Sequence, residues 1–327
     1  MRGRPTRVSQ FVEDRIRRPR SDLTDFSSIY RDIDISISLF ILNPSDQGDV
    51  LTTYLTVTSS EHITPSLRRV WFRSDDLSAF VGSVSTDRYV KLVFPKPGVV
   101  YPEPLDVRAL RGTMAPEDLP VVRTYTAIYP DIEAGTLAID FVLHGDEGVA
   151  GPWAAAAQSG DTLMVNGPGG RYAPDPTADW HLLVGDESAV PAISAAISAL
   201  SDAAPDAVAR VVVEVDSAAH EPPLKVVAPS GAEIVYVHRD VDGGHNALVD
   251  AVRDLAWLPG RVQVFAHGEA ESIMHGLRPY LLSERGLQRD QVSISGYWRR
   301  GRTEEGFREW KSEMDPEGGR GRGRRRA

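Results

Sequence analysis

Residues 166–193 read NGPGGRYAPDPTADWHLLVGDESAVPAI, and the pattern of the chain changes within them. Closely spaced glycines at the start of the stretch allow backbone segments to approach each other. A link rich in Pro and Asp follows, and the run HLLV then predicts a buried strand. Glu187 and Ser188 come directly after this strand, and Pro191 suits the first turn of a helix. We therefore expect one domain to end near 175–177 and a different one to begin.

Upstream of this stretch, short apolar and β-branched runs are separated by clusters of Gly, Pro and Asp. This pattern is typical of an antiparallel barrel or sandwich. The predicted strands are VLTTYLTVTSS (50–60), RRVWFRS (68–74), YVKLVFP (89–95), VVRTYTAIYP (121–130), TLAIDFVLHG (136–145) and TLMVNGP (162–168).

Downstream, strands alternate with helices, which predicts a parallel sheet covered by helices. The predicted strands are HLLVGDES (181–188), ARVVVEVD (209–216), AEIVYVHRD (232–240), RVQVFAHGE (261–269) and QVSISGYW (291–298). Apolar residues spaced by three and four predict the helices 189–204, 245–257 and 271–286.

The expected fold is therefore a two-domain β plus α/β chain, in which an antiparallel Greek-key β-barrel precedes a doubly wound α/β domain. With 327 residues, the chain has about twice the length of a typical domain. We expect the barrel at 51–175 and the α/β domain at 176–315. Residues 1–50 are interpreted as an N-terminal extension, and 316–327 as a disordered, low-complexity basic tail.

Composition excludes several classes of function. The chain has no Cys, which excludes disulfides, thiolate metal sites and iron–sulfur clusters, so redox chemistry requires a bound organic cofactor or a metal with other ligands. The formal net charge of -10 argues against a nucleic-acid-binding surface. We see neither an apolar run of about 18 residues nor a secretory signal, so a cytoplasmic protein without a membrane span is expected.

The first chemical motif is RTYT, which begins at Arg123 in a predicted strand. Side chains alternate along a strand, so Arg123 and Tyr125 are expected on one face, and Thr124 and Thr126 on the other. A flavin site needs a cation for the pyrophosphate, an aromatic plane and a hydroxyl group. A plain sheet face explains the same four residues equally well.

The second motif, DFVLHGDEGVAGPWAAAA at 140–157, predicts a strand, a glycine-rich turn and the start of a helix. Backbone N–H groups at a helix start favour a phosphate, although a simple strand-turn-helix connection has the same pattern. The third motif is GDES at 185–188, at the carboxyl end of a predicted parallel strand, where such sheets bind nucleotides. A GxGxxG fingerprint is absent, so binding as in an ordinary Rossmann dehydrogenase is not expected.

Together these motifs resemble those of the siderophore-interacting proteins, a branch of the ferredoxin reductase superfamily. The resemblance covers about residues 51–310 and implies an FAD-binding barrel followed by an NAD(P)H-binding α/β domain. It rests on RYVKLVFP (88–95), RTYT (123–126), HGDEGVAGPWA (144–154), NGPGG (166–170), GDESAVPAI (185–193), AHGEAESI (266–273) and GYWRRGRTEE (296–305).

The resemblance implies roles for individual residues. The Tyr125 ring would lie against the flavin, with the Thr126 hydroxyl near its reactive edge. Residues that would hold FAD, with its adenine-side phosphates, are Arg123, Tyr125, Thr126, His144, Gly145, Gly151, Pro152, Trp153 and Ala154. Residues that would line the nicotinamide nucleotide site are Gly185, Asp186, Glu187, Ser188, Gly268 and Glu269.

The family's substrate is a ferric siderophore, often an anionic chelate, so basic residues are expected around the open face of the flavin. The candidates are Lys91, which the pattern places at the end of a barrel strand, and Arg171, Arg299, Arg300 and Arg302. The implied activity is electron transfer from NADH or NADPH through FAD to Fe(III), with Fe(II) released in the cytoplasm. Each basic residue alone is also typical of a solvated surface charge.

Other interpretations stay open. The chain could be a general flavin diaphorase or a ferredoxin-linked reductase, with the basic tail contacting an acidic protein, or a non-catalytic siderophore-binding protein. The donor is also open, since Arg239 could reach a 2′-phosphate while Asp216 and Asp240 would repel one. We predict no metal site, because the histidine spacings do not suit a ligand set, and we expect a monomer.

Overall fold

The computed structural model describes residues 52–144, 148–241 and 246–301. The whole N-terminal extension and the whole basic tail expected from the sequence lie outside these residues, as do Gly145 and Arg302.

Six antiparallel strands close into a barrel in the order β1-β2-β5-β4-β3-β6. Consecutive strands β3, β4 and β5 are neighbours, and β6 closes the barrel against both β1 and β3, as expected for a Greek key. The strands are β1 (Thr52–Thr64), β2 (Leu67–Arg73), β3 (Tyr89–Phe94), β4 (Val121–Asp131), β5 (Thr136–Val142) and β6 (Thr162–Gly169). Helix α1 (Val107–Leu110) precedes β4, and α2 (Ala150–Ala156) precedes β6.

The barrel forms because apolar side chains alternate along its strands. In β3, Val90, Leu92 and Phe94 point into the core, and Leu55 and Val57 of β1 do the same. Intervening positions such as Tyr54 face outward. Burial of one face of every strand fixes the register of the ladder, since a slip of one residue would turn the apolar set outward.

The second half of the chain forms a parallel five-stranded sheet in the order β11-β10-β7-β8-β9. The strands are β7 (Trp180–Asp186), β8 (Ala209–Val215), β9 (Ala232–His238), β10 (Val262–Glu269) and β11 (Val292–Trp298). The chain proceeds outward from β7 to β9 and then returns to β10 on the other side of β7. Parallel sheets bind ligands beyond the carboxyl ends of the strands where the order reverses, which here is between β7 and β10.

Helices cover this sheet at the positions expected from the sequence. Helix α3 (Val190–Ala203) follows β7, and α4 (Ala247–Asp254) follows β9. The helix after β10 is wound mainly as π-helix, over Glu271–Leu277 and Tyr280–Glu284. The predicted two-domain fold is therefore confirmed.

Barrel and sheet share apolar packing. Leu67 of β2 and Tyr172, which follows β6, belong to the same buried cluster as Ile193 of α3 and Phe265 of β10. The rings of Tyr172 and Phe265 lie 4.9 Å apart between centroids. This packing fixes the carboxyl end of the parallel sheet relative to the barrel.

Candidate active site between the barrel and the parallel sheet

In the described part of the chain, the first half of β4 forms ladder pairs with β3 and not with β5. Strands β4 and β5 pair from Ala127 to Asp131, and residues 121–126 form no ladder with β5 in the described part of the chain. We call residues 121–126, where β4 does not pair with β5, the seam. On the other side, β4 pairs with β3, and Arg123 and Tyr125 lie opposite Leu92 and Val90. Arg123 and Tyr125 therefore share one face and are only partly buried, as the alternation of the motif predicted.

Helix α2 lies against the barrel core beside the seam. The Trp153 ring packs against Phe72, Phe94 and Phe141, with centroid distances of 6.3, 5.9 and 5.7 Å. Ala154 is 0% exposed within the same core. The side chains of Trp153 and Ala154 thus anchor the helix.

The backbone around Gly151 and Pro152, together with the exposed His144, is the part of this motif that can meet a ligand. Tyr125 of the RTYT motif lies close to the aromatic cluster that anchors α2. The Tyr125 ring is 4.7 Å from that of Phe141.

The opposite face of β4 carries the hydroxyl side chains. Thr126 is 5% exposed and lies opposite Tyr89 of β3. Lys91 lies third in β3 rather than at its end, and its Nζ is 3.5 Å from Thr124 Oγ1 and 5.8 Å from the centre of the Tyr89 ring. The strand therefore offers an arginine and an aromatic ring on one face and hydroxyl groups with a lysine on the other.

The glycine corner after β6 has the close approach that the sequence predicted. Gly167 and Gly170 adopt φ of 128° and 157°, a range that favours glycine. A Cβ on Gly169 would lie 2.1 Å from the Tyr89 ring, so only glycine leaves room for that ring. Asp87 holds the corner, because one oxygen, Oδ1, accepts hydrogen bonds from the backbone N–H of both Arg171 and Tyr172, each at 2.9 Å.

Replacing Asp87 by Asn should leave the corner intact and increase stability at neutral pH. Burial raises the pKa of Asp87 above 3.8, although the Tyr172 and Arg171 amides oppose the shift. A raised folded-state pKa gives stability that is present below the unfolded pKa and is lost as pH rises through the folded pKa. The Asp87→Asn protein keeps an Oδ1 acceptor but carries no charge to desolvate. Its urea midpoint should therefore decline less than that of the wild type from about pH 4 upward.

The matched control for this measurement is Asp161→Asn. Asp161 is exposed, and its carboxylate accepts one backbone hydrogen bond from Gln158 at 2.8 Å. The urea midpoint of Asp161→Asn should not exceed that of the wild type at neutral pH. An Asp87→Asn protein less stable than the wild type at pH 7 would contradict the expectation.

Asp186 ties three strands together at the carboxyl end of the sheet. It is 1% exposed. Its Oδ1 accepts hydrogen bonds from the backbone N–H and the hydroxyl of Ser188. Its Oδ2 accepts from the Glu269 N–H at 2.7 Å and from Trp298 Nε1 at 2.8 Å. We call the ends of β7, β8, β10 and β11, marked by Asp186, Asp216, Glu269 and Trp298, the carboxyl edge.

Glu269 joins the next helix to this edge. Its Oε2 accepts hydrogen bonds from the backbone N–H of Glu271 and Ser272, at 2.7 and 3.0 Å, and its Oε1 accepts from the Arg300 N–H at 3.1 Å. The carboxylates of Asp186 and Glu269 are thus occupied by protein donors. They shape the predicted nucleotide site, and their direct contact with a nucleotide stays a prediction.

Two glycines make the Asp186 network possible. Gly268 has φ of 146°, and a Cβ there would lie 2.7 Å from Asp186 Oδ2. A Cβ on Gly185 would lie 2.4 Å from that of Ala189 and 2.7 Å from the His267 carbonyl oxygen. Gly185 of the GDES motif and Gly268 of the AHGEAESI motif are therefore close together, and neither position has room for a larger residue.

Glu187 has protein partners that its sequence motif did not indicate. Its carboxylate is buried and pairs with Arg239, and its Oε1 accepts a hydrogen bond from the Asp216 N–H at 3.0 Å. Burial raises the pKa of Glu187, opposed by Arg239. Glu187 thus joins the ends of β7, β8 and β9.

The predicted basic residues divide between two places. Lys91 and Arg171 lie on the barrel side, and the Arg171 side chain is exposed. Arg299 and Arg300 line a cavity of about 230 Å³ with Glu269, Glu271 and Ser272, and Arg299 pairs with Glu271 at 3.0 Å. Burial and the carboxylates of Asp87 and Asp186 raise the pKa of Tyr297. Tyr297 packs against the apolar cluster that contains Tyr172, which follows the glycine corner. Arg302 lies outside the described residues.

These residues fit FAD chemically. The seam offers Arg123 for a pyrophosphate, Tyr125 as an aromatic plane and, on the other face of β4, the Thr126 hydroxyl. The described residues contain no group of three His, Asp or Glu side chains suited to a metal ion. No helix among them is long and apolar enough to cross a membrane.

Several residues of the site were missed by sequence reasoning. Asp87, which sits before β3, carried no recognisable local pattern. Trp298 lies in the motif GYWRRGRTEE, which did not indicate its hydrogen bond to Asp186. The pairing of Arg239 with Glu187 and Glu214 was missed because it joins residues far apart in sequence. One signal could have indicated this pairing: two neighbouring strands each end in an acidic residue, and the third strand ends in an arginine.

Comparison with known proteins agrees with this arrangement. Residues 56–172 match the model of the siderophore-interacting FAD-binding domain, and residues 178–301 match that of the siderophore-interacting protein family. An uncharacterized protein of Mycobacterium tuberculosis is 47% identical over 271 residues, which are 79% of this chain and 94% of the relative.

A relative with a named activity and a solved structure extend the comparison. Ferric vibriobactin reductase ViuB of Vibrio cholerae is 33% identical over 262 residues, 78% of this chain and 92% of the relative. The crystal structure of a siderophore utilization protein from T. fusca is 37% identical, with a TM-score of 0.62, and the match covers 78% of this chain and 95% of that one.

The two matched models together span most of the chain and meet between β6 and β7, where the barrel gives way to the parallel sheet. The seam lies within the first of them and the carboxyl edge within the second. The chain therefore belongs to the siderophore-interacting protein family, with an FAD-binding barrel followed by the family's α/β domain.

Proposed function

We propose that this protein reduces ferric siderophores in the cytoplasm, passing electrons from NADH or NADPH through FAD to Fe(III) and releasing Fe(II). The observation that carries the proposal is that the barrel with the seam residues Arg123, Tyr125 and Thr126 shares apolar packing with a parallel sheet whose carboxyl edge is of the kind that binds nucleotides. Membership of the family and the ferric vibriobactin reductase relative support the same activity.

The protein's own residues bind and orient the reactants. Arg123 would neutralise the pyrophosphate of FAD, and the Tyr125 ring, held against Phe141, would support one face of the isoalloxazine. The buried Thr126 hydroxyl would donate a hydrogen bond at the flavin's reactive edge. FAD, when bound, accepts a hydride as an electron pair and delivers electrons singly, so that one hydride reduces two Fe(III) ions.

Basic side chains on both sides of the site suit an anionic chelate. A cluster of cations in a partly desolvated cleft raises the local concentration of anions and their association rate. Lys91 lies on the barrel side, and Arg299 and Arg300 line the cavity at the end of β11. The Glu271 partner of Arg299 offsets part of that charge, so Lys91 is the residue expected to affect substrate capture most.

Anaerobic spectroscopy tests the activity directly. FAD-loaded protein should lose its flavin absorbance when NADH or NADPH is added and recover it on addition of a ferric siderophore, while Fe(II) appears at two equivalents per nicotinamide oxidised. Lys91→Ala should raise the KM for an anionic ferric chelate about fivefold at low ionic strength, with a smaller effect in high salt. Lys225 is a distant exposed lysine, and Lys225→Ala is the charge-matched control. It should leave the KM unchanged at both low and high ionic strength.

The outcomes separate the alternative functions. Binding of ferric siderophore without flavin reduction by either nicotinamide would favour a non-catalytic binding protein. Reduction of artificial acceptors or a ferredoxin, without reduction of ferric chelates, would favour a general diaphorase or ferredoxin-linked reductase.

A further inference from the structure

Arg239, which directly follows β9, is held by three carboxylates at the ends of two neighbouring strands, β7 and β8. It pairs with Glu187 after β7, with Glu214 of β8 at 3.1 Å, and with Asp216 after β8 at 3.8 Å. The side chains of Glu187 and Glu214 are 9% and 7% exposed, so both ion pairs are largely shielded from water. We call these four residues the arginine clamp.

By strand order, which does not involve the missing GxGxxG turn, the arginine clamp lies at the position where a doubly wound sheet would place the adenosine ribose of a dinucleotide. In a doubly wound sheet the nucleotide crosses the point of strand reversal, and a residue at the end of the second strand meets the ribose. Here the reversal is between β7 and β10, and the second strand of the sheet is β8, which ends before Asp216. An acidic residue at that position accepts hydrogen bonds from ribose hydroxyls, whereas a 2′-phosphate needs an available arginine.

The clamp has the wrong charge for a 2′-phosphate. One guanidinium and three carboxylates leave it with two negative charges when all are ionised. Both terminal nitrogens of Arg239 are directed at glutamates, so a phosphate could be bound only by breaking buried ion pairs. Removing one partner of such a pair is strongly unfavourable. Asp216, in contrast, has a side chain that is 65% exposed, so its carboxylate is accessible to a ribose diol.

We propose that the electron donor is NADH, and that the arginine clamp selects it by rejecting the 2′-phosphate of NADPH while Asp216 accepts hydrogen bonds from the ribose hydroxyls. The proposal rests on the proposed function, because it identifies the nicotinamide that the same site uses. The clamp residues are specificity determinants rather than catalytic residues, since they lie at the adenosine end of the donor.

The test measures nucleotide binding separately from turnover. Calorimetric titration of FAD-loaded protein with ADP-ribose and with 2′-phospho-ADP-ribose should give at least about a tenfold tighter Kd for ADP-ribose at low ionic strength. Asp216→Asn, at an exposed position, should reduce this ratio about threefold. Glu214→Gln should reduce it further, because it releases one nitrogen of Arg239 for the phosphate.

Glu233→Gln is the matched control. Glu233 is the second residue of β9, at the opposite end of that strand, and pairs with Arg210 at 3.1 Å with 59% of its side chain exposed. It changes the net charge by the same amount and should leave the ratio unaltered. Flavin reduction by NADH and by NADPH should follow the binding preference in every variant.

The possible failures are distinguishable. If wild-type protein binds 2′-phospho-ADP-ribose as tightly as ADP-ribose, or if Glu233→Gln changes the ratio as much as Asp216→Asn, the arginine clamp does not select the donor, and the reductase function is unaffected. If neither fragment binds and neither nicotinamide reduces the flavin, the proposed function itself is wrong.

Discussion

Replacing Asp186 by Ala should lower the free energy of unfolding by about 3 kcal/mol, because it removes a buried acceptor shared by one buried and several part-buried donors. Those donors are the Ser188 and Glu269 amides and Trp298 Nε1, on segments that end β7, β10 and β11. Donors that lose a buried partner carry the full cost of their desolvation. Urea unfolding would give the stability change, and amide hydrogen exchange at Ser188 and Glu269 would show that it originates at the carboxyl edge.

Two further variants sharpen this result. Asp186→Asn keeps one carbonyl oxygen but directs an NH₂ group at existing donors, so its loss should be intermediate. Asp202→Ala changes an exposed aspartate on α3 and should alter stability by less than about 0.5 kcal/mol. An unchanged urea midpoint for Asp186→Ala would show that the network does not stabilise the edge.

Replacing Trp153 by Ala should cost about 3–4 kcal/mol and weaken FAD binding together with it. The ring fills space between Phe72, Phe94 and Phe141, so its removal opens a cavity in the barrel core. It also releases α2, whose start lies beside the seam. Thermal unfolding would report the stability loss, and flavin absorbance after dialysis would report the FAD retained.

The relation between the two readouts identifies the role of the ring. Trp153→Phe retains an aromatic contact with the core and should recover most of both properties. If Trp153→Ala loses FAD while its thermal stability stays unchanged, the indole contacts the cofactor directly and does not serve as an anchor for α2.

The strands and helices were predictable because their signals are local. Alternation in YVKLVFP and apolar spacing in AVPAISAAISALSDAA each follow from burial of one face, and both elements lie where predicted as β3 and α3. The glycine corner was also predictable. Gly167 and Gly170 are required there by their positive φ, which the composition of the stretch indicates directly.

The side-chain partners at the site were not predictable to the same degree. The sequence placed Asp186 at the predicted nucleotide site but did not indicate that it accepts hydrogen bonds from donors on β10 and β11. The sequence likewise placed Trp153 in the predicted phosphate-binding turn but did not indicate that its ring packs against Phe141. Both depend on which side of an element faces a distant strand, and that is decided by the barrel and sheet together rather than by neighbours in sequence.

The shared packing of Leu67, Tyr172 and Phe265 restricts how reactants can be exchanged. A hinge that swung the parallel sheet away from the barrel would expose these side chains, at about 25 cal/mol for each Å² of apolar surface. Substrate entry and product release are therefore expected to proceed by local movement of side chains and loops, with the barrel and the sheet behaving as one body throughout turnover.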